Sequence, residues 1–219
     1  MRRDASSIKI YIGTANANRF ARVWQEADLK TDPASIFQQL VSLYSESHRH
    51  YHNLRHMNEC LAEFDSARQV AREPLSVELA IWFHDAIYET HARDNEERSA
   101  ELARRCISDG GGAEKIRSSV ETLIMATKTH DSAIHPDAPL MVDIDLSILG
   151  KSEERFDQYE TQIQREYDWV PREVFAAKRA EILESFAARD RIYATEHFFA
   201  LYEQKARSNL ERSVKNLKG

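Results

Sequence analysis

The stretch that decides the fold is Ile81-Trp82-Phe83-His84-Asp85-Ala86-Ile87-Tyr88, in which two ionisable residues stand inside an apolar run. Apolar residues cover nearly every side of this segment, which is typical of a buried helix rather than a surface helix. Burying His84 and Asp85 there costs free energy unless a partner compensates them. Because imidazole and carboxylate are both common metal ligands, a bound cation is the simplest compensation. The pair therefore predicts further ligands elsewhere in the chain.

The length and composition of the chain favour one all-α domain. It has 219 residues with only six glycines and five prolines, and no low-complexity linker interrupts it. We therefore take residues 1–219 as a single helical domain, with a metal-binding core over about 45–150 and C-terminal helices over 152–217 packed on it. Helical periodicity dominates, and no segment shows sustained strand-like alternation, so we expect a bundle of about eight to ten helices.

Charge and cysteine content restrict the partners and the compartment. The net charge is −6 with both signs interspersed, which argues against an extended nucleic-acid surface. No window approaches the length of a membrane span, so no membrane partner is expected. Cys60 and Cys106 are predicted to be free, buried thiols, which fits a reducing compartment and predicts a cytoplasmic location.

Residues that favour helix ends predict where the helices begin and stop. We expect the helices to begin at a capping side chain or a proline and the predicted helix ends to lie at glycines. The predicted starts are Asp32-Pro33, Asn53, Pro74, Asp94 or Asn95, Ser152, Pro171 and Thr195, and the predicted stops are Gly110-Gly111-Gly112 and Gly150.

The remaining metal ligands must come from other helices. Adjacent side chains on a helix point about 100° apart, so His84 and Asp85 can reach one ion only near an irregularity, or if the ion lies between their two faces. The obvious donor is the histidine-rich stretch 48–56, which reads HRHYHNLRH. His56 lies inside a predicted helix, beside its apolar stripe, and is therefore a candidate ligand.

A second carboxylate is available in residues 140–146, which read LMVDIDL. On a helix, Asp145 shares a face with Met141 and Ile148, whereas Asp143 shares one with Leu140 and Ser147. We therefore expect Asp145 to face the apolar interior, where an unpaired carboxylate is hardest to tolerate. An N-cap or a buried salt bridge is the purely structural alternative for this residue.

Taken in order, His56, His84-Asp85 and Asp145 resemble the H…HD…D signature of the HD-domain superfamily of metal-dependent phosphohydrolases. The flanking segments are similar to those of a bacterial group of predicted HD phosphohydrolases. These segments are YHNLRH at 51–56, WFHDAIY at 82–88, DNEERSA at 94–100 and DIDLSILG at 143–150. The resemblance implies an HD-type helical bundle in which these four residues hold one divalent transition metal ion, with Mn, Fe, Co, Ni and Zn as the candidates.

The resemblance also implies a function. We expect a phosphomonoesterase or phosphodiesterase that uses a metal-activated water on a small phosphorylated molecule, a nucleotide being one candidate. The alternative is a metal-containing nucleotide-binding or regulatory HD module without turnover. Tyr88 motivates it, because some HD nucleotidases carry an acidic residue at this position.

Other residues are candidates for supporting roles around the metal. Lys128 and His130 could stabilise the charge that develops on the phosphoryl group, although His130 could equally cap a helix. Glu96 is the candidate general acid or base, with a capping-box carboxylate as its structural alternative. The candidate substrate-binding residues are His52, Asn53, Arg55 and Tyr88.

The C-terminal segment carries an apolar stripe at helical spacing. Its members are Phe199, Tyr202, Ala206 and Leu210. Such a stripe is more often core than interface, but it could also form the surface of a homodimer.

Overall fold

The computed structural model describes residues 14–129 and 133–219 of the chain. Over these two ranges it contains ten α-helices and no β-strand, which confirms the predicted all-α bundle. The described residues also include two 3₁₀ turns, Arg68–Val70 and Leu146–Gly150. The helices are α1 (Ala17–Glu26), α2 (Pro33–Leu43), α3 (Leu54–Ala67), α4 (Pro74–Phe83), α5 (Asn95–Asp109), α6 (Glu114–Thr129), α7 (Ala138–Asp145), α8 (Glu153–Glu166), α9 (Arg172–Ala187) and α10 (Glu196–Lys218).

The capping residues position most of these helices as predicted. Four side chains, those of Asp32, Asn53, Ser152 and Thr195, accept hydrogen bonds from backbone N–H groups in the first turn of the following helix. Each of these bonds satisfies a donor that the helix itself leaves without a partner. The sequence patterns did not predict α1, although its residues Phe20, Val23 and Trp24 are all buried at helical spacing.

The helix that carries the His-Asp pair lies at the centre of the bundle. Every residue of α4 from Ser76 to Phe83 is buried, which confirms the prediction of an interior helix. Helices α1, α3, α5, α6 and α7 all pack against it. Trp82 meets Phe20 of α1 edge to face, with ring centroids 5.2 Å apart. The C-terminal end of α4 is thus fixed from several sides.

The C-terminal helix packs on the rest of the molecule through its apolar stripe. Ala206 and Leu210 are fully buried, so this part of the stripe belongs to the hydrophobic core. Asn209 donates to the carbonyl oxygens of Leu149 and Lys151, which ties α10 to the 3₁₀ turn after α7. In the part of the chain that the structure describes, no helix has both the length and the apolar character needed to cross a membrane.

The two aspartates of α7 are arranged differently from the prediction. The carboxylate of Asp145 does point inward, 3.2 Å from His56 Nε2, but its side chain keeps 21% of its surface exposed, whereas Asp143 is fully buried, so the expectation that Asp145 alone of the two faces the interior was wrong. The reason lies in distant chain segments, because the Asp143 carboxylate accepts bonds from the Ala194 and Thr195 N–H groups and from the Thr195 hydroxyl, at 2.9, 2.7 and 2.6 Å. Asp143 therefore anchors the start of α10.

Replacing Asp143 with alanine should destabilise the protein by about 2–4 kcal/mol, because two backbone N–H groups and one hydroxyl in a partly buried site lose their common acceptor. Urea unfolding followed by circular dichroism measures the change in the free energy of unfolding. Asp157→Ala is the matched control, since Asp157 is exposed and forms a surface ion pair with Arg212. Equal stability of the two variants would contradict the anchoring role of Asp143.

Candidate metal centre

The His-Asp pair lies at the point where α4 ends. The helix closes at Phe83, so His84 occupies the C-cap position and Asp85 follows outside the helix. The irregularity that two adjacent ligands need is therefore a helix end. Arg49, a buried side chain from the histidine-rich stretch, donates to the Asp85 and Ala86 carbonyl oxygens at 2.5 and 2.9 Å. These bonds fix the backbone of the turn that presents both candidate ligands.

Four side chains predicted as metal ligands converge in the structure. His56 Nε2 lies 3.1 Å from His84 Nε2, 3.3 Å from Asp85 Oδ2 and 3.2 Å from Asp145 Oδ1. His84 Nε2 lies 3.2 Å from Asp85 Oδ2 and 3.7 Å from Asp145 Oδ1. Ligands at right angles around an ion with bonds of about 2.1 Å stand about 3.0 Å apart. The donor atoms are therefore spaced as neighbouring ligands of one ion would be.

The ring of His84 is oriented by a backbone hydrogen bond. Its Nδ1 lies 2.9 Å from the carbonyl oxygen of Ile81. Because a carbonyl oxygen can only accept, Nδ1 carries the proton, and in the neutral ring Nε2 presents its lone pair to the cluster. This is the arrangement in which a supporting group orients a metal-binding imidazole.

The electrostatics of the cluster favour a positive charge at its centre. Burial opposes protonation of His56, yet Cys60, Tyr51 and the two carboxylates outweigh it and raise the pKa of His56 well above its ordinary value. Burial likewise opposes ionisation of Asp85, but the surrounding imidazoles, first that of His84, hold its pKa well below the ordinary range. Protons and a metal cation would compete for the same donors.

Cys60 also lies beside the cluster, although only a free, buried thiol was expected at this position from the sequence. His56, Cys60, His84 and Asp145 each have one donor atom that lies within 4.8 Å of the donor atoms of the other three. However, Cys60 Sγ is 3.7 Å from both His56 ring nitrogens, so it packs against the ring. Burial raises the pKa of the thiol to about 11, which favours the neutral form, a poor ligand. We therefore prefer the set with Asp85.

Glu166, at the end of α8, was not identified from the sequence. Its Oε1 accepts bonds from the N–H groups of His50, Tyr51 and His52 at 2.8, 2.6 and 2.9 Å. Its Oε2 lies 2.7 Å from His52 Nδ1 and accepts from the Tyr88 hydroxyl at 2.9 Å. One carboxylate thus holds the loop that leads into α3 and a residue next to the His-Asp turn.

A cavity of about 690 Å³ opens beside the cluster. His52 lies between the two, since its ring is 5.9 Å from the His56 ring and stacks on Tyr88 with centroids 4.1 Å apart. The cavity lining includes four residues predicted for catalysis or substrate binding, namely His52, Tyr88, Glu96 and Lys128. Burial raises the pKa of Glu96 above its ordinary value. The Lys128 ammonium donates a hydrogen bond to the Glu97 carboxylate at 2.5 Å.

Two other predicted residues lie elsewhere, and a third falls outside the described part of the chain. Asn53 caps α3 and donates to the His50 carbonyl oxygen, which gives it a structural position rather than a place in the cavity wall. Arg55 pairs with Glu59 and lines a separate surface groove along α8. His130 lies outside the described residues.

Comparison of the chain with known proteins identified no relative. No family model, no curated protein and no solved structure matches it. The functional proposal therefore rests on the geometry of the cluster and the cavity, together with the sequence motifs.

The preferred ligand set predicts which variants lose metal. Calorimetric titration with Mn²⁺ or Co²⁺ should give one ion per chain. Asp85→Asn and Asp145→Asn should weaken binding by more than the roughly 100-fold that loss of a supporting partner costs. Cys60→Ala should bind as the wild type does. If Cys60→Ala loses the ion and Asp85→Asn keeps it, the set that contains the thiol is the correct one.

The charge of Glu166 should make stability depend on pH. Burial opposes its ionisation, but His52 and the N–H donors outweigh it and lower the pKa from 4.5 to about 2. Because the pKa is depressed in the folded state, ionised Glu166 stabilises the protein above about pH 4.5. This contribution disappears as the pH falls through about 2.

Glu166→Gln should therefore be less stable than the wild type by about 3 kcal/mol near neutral pH, with a gap that narrows below pH 4.5. Urea unfolding at a series of pH values measures this gap. Glu154→Gln, an exposed position on the same helix, is the control. A gap that stays constant from neutral to acidic pH would contradict this role of the charge.

Proposed function

We propose that the protein is a metal-dependent phosphohydrolase that acts on a small phosphate ester. The observation that carries the proposal is the convergence of two imidazoles and two carboxylates beside a cavity large enough for a substrate. When bound, the metal ion would polarise a phosphoryl oxygen and supply an activated water. His56, His84, Asp85 and Asp145 would hold it, with the two donor types that suit a divalent transition metal.

The charge of the cavity supports an anionic substrate. Among the described residues that line it, Glu96 is the one acidic side chain. The basic side chains in the lining are those of His52, His91, Arg93, Lys128, Lys178 and Arg179. An excess of one sign in a cleft raises the local concentration of oppositely charged ligands. A phosphate ester fits this distribution better than a neutral or cationic substrate does.

Two of these cations are held in place by neighbouring groups. Arg179 is buried and donates through Nε and Nη2 to one carboxylate oxygen of Glu160, at 3.1 and 2.5 Å. Lys128 donates to the Arg93 carbonyl oxygen at 2.6 Å, in addition to its bond with Glu97. Cations held in this way need no reorganisation when a phosphate ester binds, although the carboxylate partner of each offsets part of its charge.

His52 is our candidate for the group that protonates the leaving group. Its Nδ1 lies 2.7 Å from a Glu166 carboxylate oxygen, which fixes the tautomer and the orientation of the ring, as in other carboxylate–histidine pairs. The other ring nitrogen, Nε2, is then available to a substrate in the cavity that His52 lines. We assign this role to His52 ahead of Glu96, because His52 lies against the metal cluster and has an orienting partner. Tyr88 donates its hydroxyl to the same carboxylate and supports the ring by stacking.

Phosphate release in the presence of Mn²⁺ should therefore depend on His52. His52→Gln should lower kcat by about 10²–10⁴-fold on esters with a poor leaving group, and less on p-nitrophenyl phosphate, whose leaving group needs no proton. His50→Gln is the matched control from the same loop, because only its backbone is seen to bond, to Glu166 and Asn53. The measurement is steady-state phosphate release over a range of pH.

Two results would contradict parts of the proposal. An equal loss of kcat on both kinds of ester would remove His52 from the proton-transfer step. Nucleotide binding by the metal-loaded wild type, with no product from any ester, would replace the hydrolase with the regulatory module.

A further inference from the structure

The cavity is larger than the reacting group requires. Cavities of about 300–1,000 Å³ accommodate whole small-molecule ligands, and this one has a volume of about 690 Å³. None of the four candidate ligands lines the cavity, and it approaches the cluster through His52, whose ring lies 5.9 Å from that of His56, so a phosphoryl group bound at the cluster would lie next to the His52 end. The remaining space is part of the same cavity, so it is available to the leaving group of the ester.

The far end of the cavity has a different chemistry. It is formed where α8 meets α9, by apolar and aromatic side chains. These are the side chains of Tyr167, Trp169, Val170, Phe175 and Ile182. Ile182 is 46% exposed, so apolar surface is left open to solvent at this end.

Trp169 is the best-defined element of this end. Its indole N–H donates to the Thr90 hydroxyl at 2.9 Å, and its ring stacks on His91 with centroids 3.9 Å apart. The residue nevertheless keeps 49% of its surface exposed. The indole is therefore held in one orientation while a large part of its surface remains available. Tyr167 lies next to it, with ring centroids 6.3 Å apart.

The cations at this end are already neutralised. Lys178 pairs with Glu181 at 2.7 Å, and Arg179 pairs with Glu160. A second anionic group of the ligand would have to displace these carboxylates. An uncharged planar group, by contrast, finds open aromatic surface there, and stacking on an aromatic side chain is favourable for any nucleobase.

We infer that Trp169 is the main specificity-determining residue of a subsite that binds a flat, unsaturated ring in the leaving group. The inference rests on the proposed phosphohydrolase function, and it narrows the substrates to phosphate esters of ring-bearing alcohols. Sugar phosphates without a ring of this kind and phosphorylated amino acids of small size would leave the subsite empty. His52 stacks on Tyr88 and Trp169 neighbours Tyr167, so different aromatic side chains line the two ends of the cavity, and we expect the ring to lie several bonds away from phosphorus.

The inference can be tested without turnover. Adenosine carries a flat ring, and ribose is its match without the ring; neither has a phosphate, so neither needs the metal or the reaction. Calorimetric titration should show saturable adenosine binding to the wild type and none for ribose at the same concentrations. Trp169→Ala should weaken adenosine binding about 10-fold, as expected for the loss of one stacking partner, and Trp169→Phe should restore part of the affinity.

Val174→Ala is the control, because Val174 is 52% exposed at the start of α9 and does not line the cavity. Adenosine affinity should not change in this variant. Equal binding of adenosine and ribose, or equal weakening by Trp169→Ala and Val174→Ala, would overturn the inference. Adenosine binding that depends on Trp169 without phosphate release from any ester would uphold the ring subsite and contradict the hydrolase.

Discussion

The arrangement of the site depends on one buried carboxylate. Glu166 accepts five hydrogen bonds from three consecutive backbone N–H groups, one imidazole and one phenol. Without such an acceptor, the loop before α3 would bury polar groups with no partner, and each would cost about 1–3 kcal/mol. The loop leads directly into Asn53, the cap of α3, and so sets the position of His56. The same carboxylate holds His52 and Tyr88, so the candidate metal site and the cavity share one support.

The sequence was informative where local rules apply. The capping residues allowed the starts of most helices to be predicted, and the apolar run around His84-Asp85 identified the central helix. Both kinds of pattern depend only on residues that are close together in the sequence. The four candidate ligands could be selected because a buried ionisable side chain needs compensation. Asp143 shows where this reasoning stops. Helical faces ranked it as less buried than Asp145, but its surroundings are decided by α10, which begins some fifty residues later. Glu166 escaped prediction for the same reason, since the backbone N–H groups that it accepts from lie more than a hundred residues away and nothing in a polar helix end predicts them.

The turn after α4 combines two requirements that conflict in a regular helix. Adjacent residues there diverge, whereas a single ion needs them to converge. Ending the helix at Phe83 resolves the conflict, but it leaves carbonyl oxygens without helical partners, and Arg49 satisfies those of Asp85 and Ala86. The guanidinium also packs over the ring of Tyr88. A buried arginine in the histidine-rich stretch is therefore explained by the geometry of ligands on another helix.

The position of Glu166 also determines how much of the chain is needed to form the site. All four candidate ligands fall within residues 56–145, and a boundary near 150 would seem natural from their spacing. Glu166, which fixes the loop before the first candidate ligand, comes from α8. Asp143 of α7 accepts its hydrogen bonds from the start of α10. A fragment that ends near residue 150 would keep every ligand and lose the groups that orient them. Evolutionary or engineered exchange of parts would therefore have to transfer the C-terminal helices together with the ligands.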